Sequence, residues 1–442
     1  MRKQSFVLAA LLASAALPGF AQTRDQAAPL DFEGRFIASI SDADMVASAY
    51  VDGQLGPRQG VDALSIIQLQ GDPRDWTAVE VPVSNSVAGP PSAVELSPDG
   101  RWAFVVETFG PRPDNDDPHT FADLPVGSTL TVVDLADPAA PRVVETLTTP
   151  LRPQAVRMNP AGTWLAVTFH GQGAGAETPL GLFPFADGDL GEPVFPAIAG
   201  LDLADNLIDA DWHPTEPVLA MITEMGNTLR FARVADDGSV TVEGNVVDVD
   251  RRPFRVEFTP DGNHAVVNAV YWGSDVQGTW NEAPRGSVLT VRYQAEGEGA
   301  EARHAFVSRV VTGVSPEGLA VSPDGQWVAT TNLERSFLPY DDPRITWFSS
   351  VTLARLDPAN GVLTYVGTFN YDGILPEAAV FDNSSQFLAV VNYDHFDDRV
   401  PGSSVDFWRI QADPLEPSRV ELVQTTVSVP VARGAHSMTI AR

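Results

Sequence analysis

The sequence predicts an all-β fold, a seven-bladed β-propeller with four antiparallel strands per blade and a ring closed by a C-terminal strand. The phrase Ser97-Pro98-Asp99-Gly100-Arg101-Trp102, followed by the apolar run Ala103 to Val106, is the first observation. It returns at Asn159-Pro160-Ala161-Gly162-Thr163-Trp164, His213-Pro214, Thr259-Pro260-Asp261-Gly262 and Ser322-Pro323-Asp324-Gly325-Gln326-Trp327, with a degenerate copy at Asp382-Asn383-Ser384-Ser385. The copies lie 46 to 63 residues apart with short alternating apolar runs between them, the spacing of a four-strand unit. The chain also has 35 Gly and 36 Pro and no sustained helical periodicity, which argues against long helices.

At the start, Arg2-Lys3, the apolar stretch Phe6 to Leu17 and Gly19-Phe20-Ala21 follow the charged, apolar and small-residue order of a secretory leader. The apolar stretch is too short to span a membrane. Residues 1–21 are therefore read as a signal peptide and 22–442 as one propeller domain, periplasmic or secreted. The chain has no Cys, which excludes disulfides, a thiol nucleophile, a lipoprotein anchor, attached c-type haem and cysteine zinc sites. Its only lysine, Lys3, is inside the leader, so lysine Schiff-base chemistry is excluded too. Removing Arg2 and Lys3 lowers the formal net charge of −30 by two, which disfavours nucleic acid and anionic lipid as partners.

Each unit then reads in the same order. A short strand, Ala93 to Leu96 in the first clear copy, enters a Pro-Asp-Gly turn where Pro presets φ and Gly supplies the positive φ. A more apolar strand leaves it (Trp102 to Val106), then come a variable loop, an alternating strand (Thr129 to Leu135), a turn and a fourth strand (Arg142 to Leu147). Second strands are expected near 45–51, 101–107, 163–169, 217–223, 263–270, 326–332 and 386–392. First strands also number seven if Ala435 to Ile440 is one of them. That stretch then completes the blade whose other strands lie between Met45 and Val83 and removes two open sheet edges. The competing reading takes Arg35 to Ser39 as a further first strand.

The phrases Leu319 to Asn332 and Thr129 to Leu135 resemble the YVTN-type and lactonase-like seven-bladed propellers, and the likeness spans the whole chain after the leader. It rests on turn and strand residues, so it implies the fold more strongly than an activity; that superfamily includes sugar-acid lactonases, cycloisomerase-like members and redox-protein subunits. The Gly-Pro-Arg-His phrase associated with the phosphogluconolactonase-like branch is absent.

The propeller reading separates two faces. One carries the short Pro-Asp-Gly turns. The other carries long irregular loops, 108–127, 271–286, 332–346 and 392–402, where binding residues are expected. Aligning the blades on the turn proline puts Ser92, Gln154, Ile208, Phe254, Glu317, Glu377 and His436 in a ring at the channel mouth on the loop face. Glu317, Glu377 and His436 form an acid–base set. Arg152, Arg252 and Arg433 lie just outside it as anion anchors, with Gln154 beside them. Trp272 and Tyr340 offer rings for stacking, with Trp280, Phe337 and Phe396, and His395 a further polar contact.

No cofactor is predicted. Asp114 to Asp117, Asp341-Asp342 and Asp394 to Asp398 supply oxygen ligands of the kind Ca²⁺ takes, but none has a calcium-loop spacing, and solvated loop charge is the simpler account. Gly171-Gln172-Gly173-Ala174-Gly175 lacks the helix and lysine of a phosphate loop, and no Gly-x-Ser-x-Gly or His-Glu-x-x-His occurs. His213 and His264 fall on the turn face and read as structural. Two functional classes remain. One is an enzyme acting on a small anionic or sugar-derived ligand at the channel mouth, by lactone hydrolysis or a lyase or isomerase step. The other is a non-catalytic module whose long loops hold a protein or polysaccharide.

Overall fold

The computed structural model describes residues 30–442 except 59, 86–91, 116, 171–177, 273–282, 296–302, 397–401, 414, 417 and 418. The leader, Trp280, the glycine-rich phrase at 171–175, Asp116, Asp397 and Asp398 lie outside the described residues. The described strands form seven four-stranded antiparallel sheets. Six sheets take four strands consecutive in sequence. The seventh joins Ala435–Ala441 to Phe36–Ser41, Ala63–Gln68 and Ala78–Pro82. We number this closing sheet blade 1 and the others 2 to 7 in chain order. No helix of the described residues is long and apolar enough to cross a membrane.

Closure occurs as the sequence implies, but one strand is not where the spacing puts it. The second strand of blade 1 is Phe36–Ser41, every residue buried, and it pairs with Ala435–Ala441 from Phe36↔Ala441 to Ser41↔Ala435. The expected strand near 45–51 is instead loop, with a four-residue helix at Ala49–Asp52 stopped by Gly53 at φ 75°. Both segments are apolar, so hydrophobicity alone does not choose between them. Pairing distinguishes them: Phe36–Ser41 has a ladder partner on each side, Ala435–Ala441 and Ala63–Gln68, and the 45–51 segment has none among the described residues. The residues read as an eighth first strand therefore belong to the second strand of the seventh sheet.

The repeated turns work through side-chain chemistry. Ser97 Oγ donates to Asp99 Oδ1 at 2.6 Å, and the Arg101 amide donates to the same oxygen at 3.0 Å. Gly100 takes φ 68°. Ser322 and Asp324 repeat the arrangement at 2.6 Å. In the degenerate copy, Asp382 Oδ1 accepts from the Gln386 and Phe387 amides, and Ser385 adopts φ 61° where four other copies use Gly100, Gly162, Gly262 and Gly325. The core lies between neighbouring blades rather than at one centre. Blades 1, 2 and 3, for example, share a cluster running from Ile40 and Ile66 through Phe104 and Val132 to Phe185.

Candidate functional site

The innermost strands run from the loop face to the turn face, and the ring residues stand at or beside their starts. Ser92, Gln154, Ile208, Phe254, Glu317, Glu377 and His436 are all buried. Glu317, Glu377 and His436 sit on blades 6, 7 and 1, which are adjacent. Their exposures of 5, 1 and 0% mean that the ring is covered rather than open to solvent. Gly318 lets blades 6 and 7 meet closely. A Cβ there would stand 2.1 Å from Thr331 Oγ1 and 2.9 Å from the Glu377 carbonyl oxygen.

Burial dominates the chemistry of this set. It pushes the Glu317 carboxyl up to about 8. Burial, then the negative charges of Glu317 and Asp42, raise Glu377 well above the carboxylate range. Burial lowers His436 to about 3, so its imidazole is neutral at physiological pH. His436 Nε2 lies 2.6 Å from Asn85 Oδ1, whose amide is oriented by Nδ2 donating to the Ser41 carbonyl at 2.8 Å. Nε2 is thus the protonated nitrogen. His436 Nδ1 and Glu377 Oε2 are buried with no hydrogen-bond partner. The ring thus holds an unengaged imidazole lone pair on blade 1 and, on the two preceding blades, two carboxyl groups held in the acid form.

An apolar cap closes over the set. Met45, Ala49 and Leu55 pack with Leu124, Leu333, Phe337, Leu338, Ile374, Leu375 and Tyr393, so loops of blades 1, 2, 6 and 7 share one cluster. Tyr393 Oη donates to the Met45 carbonyl at 2.7 Å and ties the cap segment to blade 7. Burial raises the Tyr50 phenol, and Glu377, Tyr393, Glu317 and Asp42 act in the same direction. The segment misread as a strand therefore forms part of the lid of the candidate site. Phe337 is core of this cap rather than a free stacking surface.

The predicted anchors are engaged elsewhere. Arg152 lies with its guanidinium 4.9 Å from the Phe109 ring centroid. Arg252 Nη1 donates to Glu224 Oε1 at 2.7 Å, and Arg433 pairs with Asp394. Gln154 Nε2 donates to Asn206 Oδ1 at 3.0 Å, and Asn206 Nδ2 donates to Glu224 Oε2 at 2.7 Å, which links Gln154 to Arg252 across three blades. His395 Nε2 sits 2.8 Å from Ser404 Oγ, and its Nδ1 is 3.3 Å from the Asp372 carbonyl. Trp272 Nε1 donates to Ser315 Oγ at 2.9 Å, and its ring packs edge-on against Phe254. Tyr340 is 58% exposed and forms a surface cluster with Phe396 and Trp347, itself 57% exposed. Trp347 was not among the sequence candidates, because it follows the loop assigned to 332–346.

A second level of the channel escapes the alignment on the ring. Glu95, Arg157, Asp211, Glu257, Ala320, Val380 and Thr439, each three residues after a ring position, line a cavity of about 330 Å³ toward the turn face, with Arg255 and Arg442. Register shifts follow Pro153, Leu207, Pro253 and Pro316, so a bulge separates the ring residue from the rest of the strand. It moves the alternation by one and turns odd rather than even steps to the channel. Four consecutive blades contribute charge and three contribute Ala320, Val380 and Thr439. Arg157 binds the charged half together: Nη2 donates to Asp209 Oδ2 and to Ser92 Oγ, each at 3.0 Å, and Nε donates to the Ala210 carbonyl at 2.9 Å. Burial raises Glu95 to about 6 and Asp211 to about 7 against the pull of Arg157.

Asp42, Asp44 and Asp62 bring carboxylate oxygens within 4.8 Å of one another beneath the cap. Each already accepts a backbone amide: Asp62 from Ala43 and Asn85, Asp42 from Asp44, and Asp44 from Arg112. Burial, then Asp42 and Asp44, raise Asp62 to about 9. Of the acidic loop clusters, Asp342 is held by Arg344, Asp114 by Arg58 and Asp394 by Arg433.

No protein-family model matches the chain, and no curated protein matches it. Solved structures do. A candidate 6-phosphogluconolactonase from Bacteroides uniformis aligns at TM-score 0.59 and 14% identity over 92% of this chain and 99% of its own. The periplasmic gluconolactonase of Pseudomonas aeruginosa aligns at 0.57 and 14%, over 92% and 99%. A Lactobacillus plantarum protein aligns at 0.58 and 15%, over 92% and 100%. At such identities the likeness is one of fold, a seven-bladed propeller.

Proposed function

We propose that this propeller binds a small anionic or sugar-derived ligand at the loop-face end of its channel and opens a lactone there. The observation that carries the reading is the set Glu317, Glu377 and His436 on adjacent blades, two carboxyls kept protonated and a neutral imidazole with an unengaged nitrogen. With the 45–55 segment displaced, His436 Nδ1 takes a proton from water as it adds to the lactone carbonyl. Glu317 donates its proton to the ring oxygen as the C–O bond breaks, and a hydroxy acid results. Tyr50, on the cap segment, supplies a hydrogen bond to the developing oxyanion. The same groups also serve proton transfer in a lyase or isomerase step. Export rests on residues 1–21 and is proposed with it; N-terminal sequencing of the mature protein is expected to start near Gln22.

Glu317→Gln, Glu377→Gln and His436→Ala should each abolish lactonase turnover and the thermal shift with lactones. Asp99→Asn and Asp261→Asn, on the turn face, should lower only stability. The exposed cluster of Tyr340, Trp347 and Phe396 favours the second reading, a polysaccharide- or protein-binding face. That reading wins if the three ring variants respond to every ligand as the wild type does while Trp347→Ala releases a bound polysaccharide.

The raised carboxyls also predict a pH profile for folding. Glu317 moves from an ordinary value near 4.5 to about 8, so the folded state holds a proton that the unfolded chain releases across that window. Its contribution is full below pH 4.5 and is lost as pH rises to 8. His436 acts at the other end, lowering stability as pH falls from 6.5 toward 3. Relative to Glu317→Gln, the wild type should lose up to about 1.4 kcal/mol per pH unit between pH 5 and 8. Urea titrations of both proteins at several pH values check this. Parallel curves would remove Glu317 from the buried, protonated class.

A further inference from the structure

In and beside the turn-side cavity are buried polar groups that the upper ring does not account for. Arg255 is 4% exposed, and only its Nη2 has a side-chain acceptor, Glu257 Oε1 at 3.2 Å. Its Nε and Nη1 are buried and donate to nothing. Asp209, fully buried and held through Oδ2 by Arg157 and the Val256 amide, has an Oδ1 that accepts nothing. One channel thus contains stranded donors on a guanidinium and a stranded acceptor on a carboxylate, each costly to bury unmet.

The other carboxylates around the cavity are already engaged. Glu257 Oε2 accepts from the Val321 amide at 3.0 Å, Asp211 Oδ2 from the Phe258 amide at 2.7 Å, and Glu95 Oε1 from the Leu96 amide at 2.8 Å. A cation would have to sit among Arg157, Arg255 and Arg442, which all line the space. Of the two residues, Arg255 lines the cavity, and its unmet demand is for an acceptor. A molecule with a carboxylate offers one. The volume of about 330 Å³ is at the small end for ligand sites, suiting a compact metabolite. The wall opposite the charges, Ala320, Ala379 and Val380, suits its carbon chain. Pro260 and Arg442 are exposed at the rim, so entry is from the turn face, and Arg442 supplies a positive point on a strongly acidic protein.

We infer that the turn side of the channel is a binding site for a small carboxylate held by Arg255. This site is separate from the capped ring and does not depend on catalysis there. The test uses calorimetric titration with D-gluconate, with the uncharged polyol D-glucitol as control. Gluconate should bind the wild type, glucitol should not, and Arg255→Gln should weaken gluconate at least tenfold. Glu317→Gln and Glu377→Gln should leave one gluconate site per chain at unchanged affinity, even if they abolish every response assigned to the ring. A wild-type crystal soaked in gluconate checks the point without a substitution that disturbs folding, and it should carry the carboxylate on Arg255. Ordered water alone at Arg255, or gluconate affinity within twofold between wild type and Arg255→Gln, overturns the inference.

Discussion

Deleting residues 434–442 should leave a chain that no longer unfolds as one cooperative ring. The deleted strand forms the whole inner edge of blade 1, pairing with Phe36–Ser41 through six residues. The Arg35 amide adds a bond to the Ala441 carbonyl at 2.9 Å. Each ladder bond contributes about 1 kcal/mol, and burying a side chain such as Met438 contributes about 2 kcal/mol. The sum is several kcal/mol, a large part of the 5–15 kcal/mol that usually separates folded from unfolded states. Deletion also exposes Phe36–Ser41, a fully buried apolar strand, as an open edge and a template for aggregation. Urea unfolding followed by tryptophan fluorescence reads the loss directly. Adding residues 434–442 as a peptide should restore part of it by strand addition. An unchanged midpoint for the truncated chain would show that closure contributes nothing.

The second large effect is expected at Arg157. Its guanidinium joins blades 2, 3 and 4 through Ser92, Asp209 and Ala210, and its own side chain is only 9% exposed. Arg157→Met leaves the Asp209 carboxylate in the channel wall with the Val256 amide as its remaining partner. Stranding a buried charge in this way costs about 3–5 kcal/mol. The double variant Arg157→Met with Asp209→Leu should recover most of that, since removing both charges removes the stranded one. A double variant as unstable as the single one would mean that Arg157 acts through packing rather than charge. Equilibrium denaturation of the four proteins in the cycle decides.

The propeller was legible because its signal is repeated and local: Ser97, Asp99 and Gly100 make their turn from their own side chains and backbone, and Ser322, Asp324 and Gly325 make it again. Closure was legible because one first strand was missing near the start and an unassigned one stood at Ala435. The second strand of blade 1 was not. Its turn lacks the Pro-Asp-Gly phrase, and the competing apolar run Met45 to Val51 is equally hydrophobic but serves as a lid. The ring of Glu317, Glu377 and His436 could be aligned because it sits a fixed distance from the turn. Its burial could not be foreseen, since the cap draws residues from four blades. Arg157, Asp209 and Arg255 were missed for a geometric reason. A bulge after the ring position changes which residues face the channel, and bulges leave little trace in a pattern of apolar and polar residues.

The closing ladder also sets an order of events during synthesis. Phe36–Ser41 is made early, and its inner partner, Ala435–Ala441, is made nearly four hundred residues later. Blades 2 to 7 each take their four strands from one continuous stretch and can assemble as they emerge. Blade 1 cannot, and its inner edge stays unpaired throughout elongation. Contacts this distant in sequence form slowly because the intervening chain must first be gathered. The last step of folding is therefore the docking of the final strand, and the half-made protein is most prone to self-association in the interval before it.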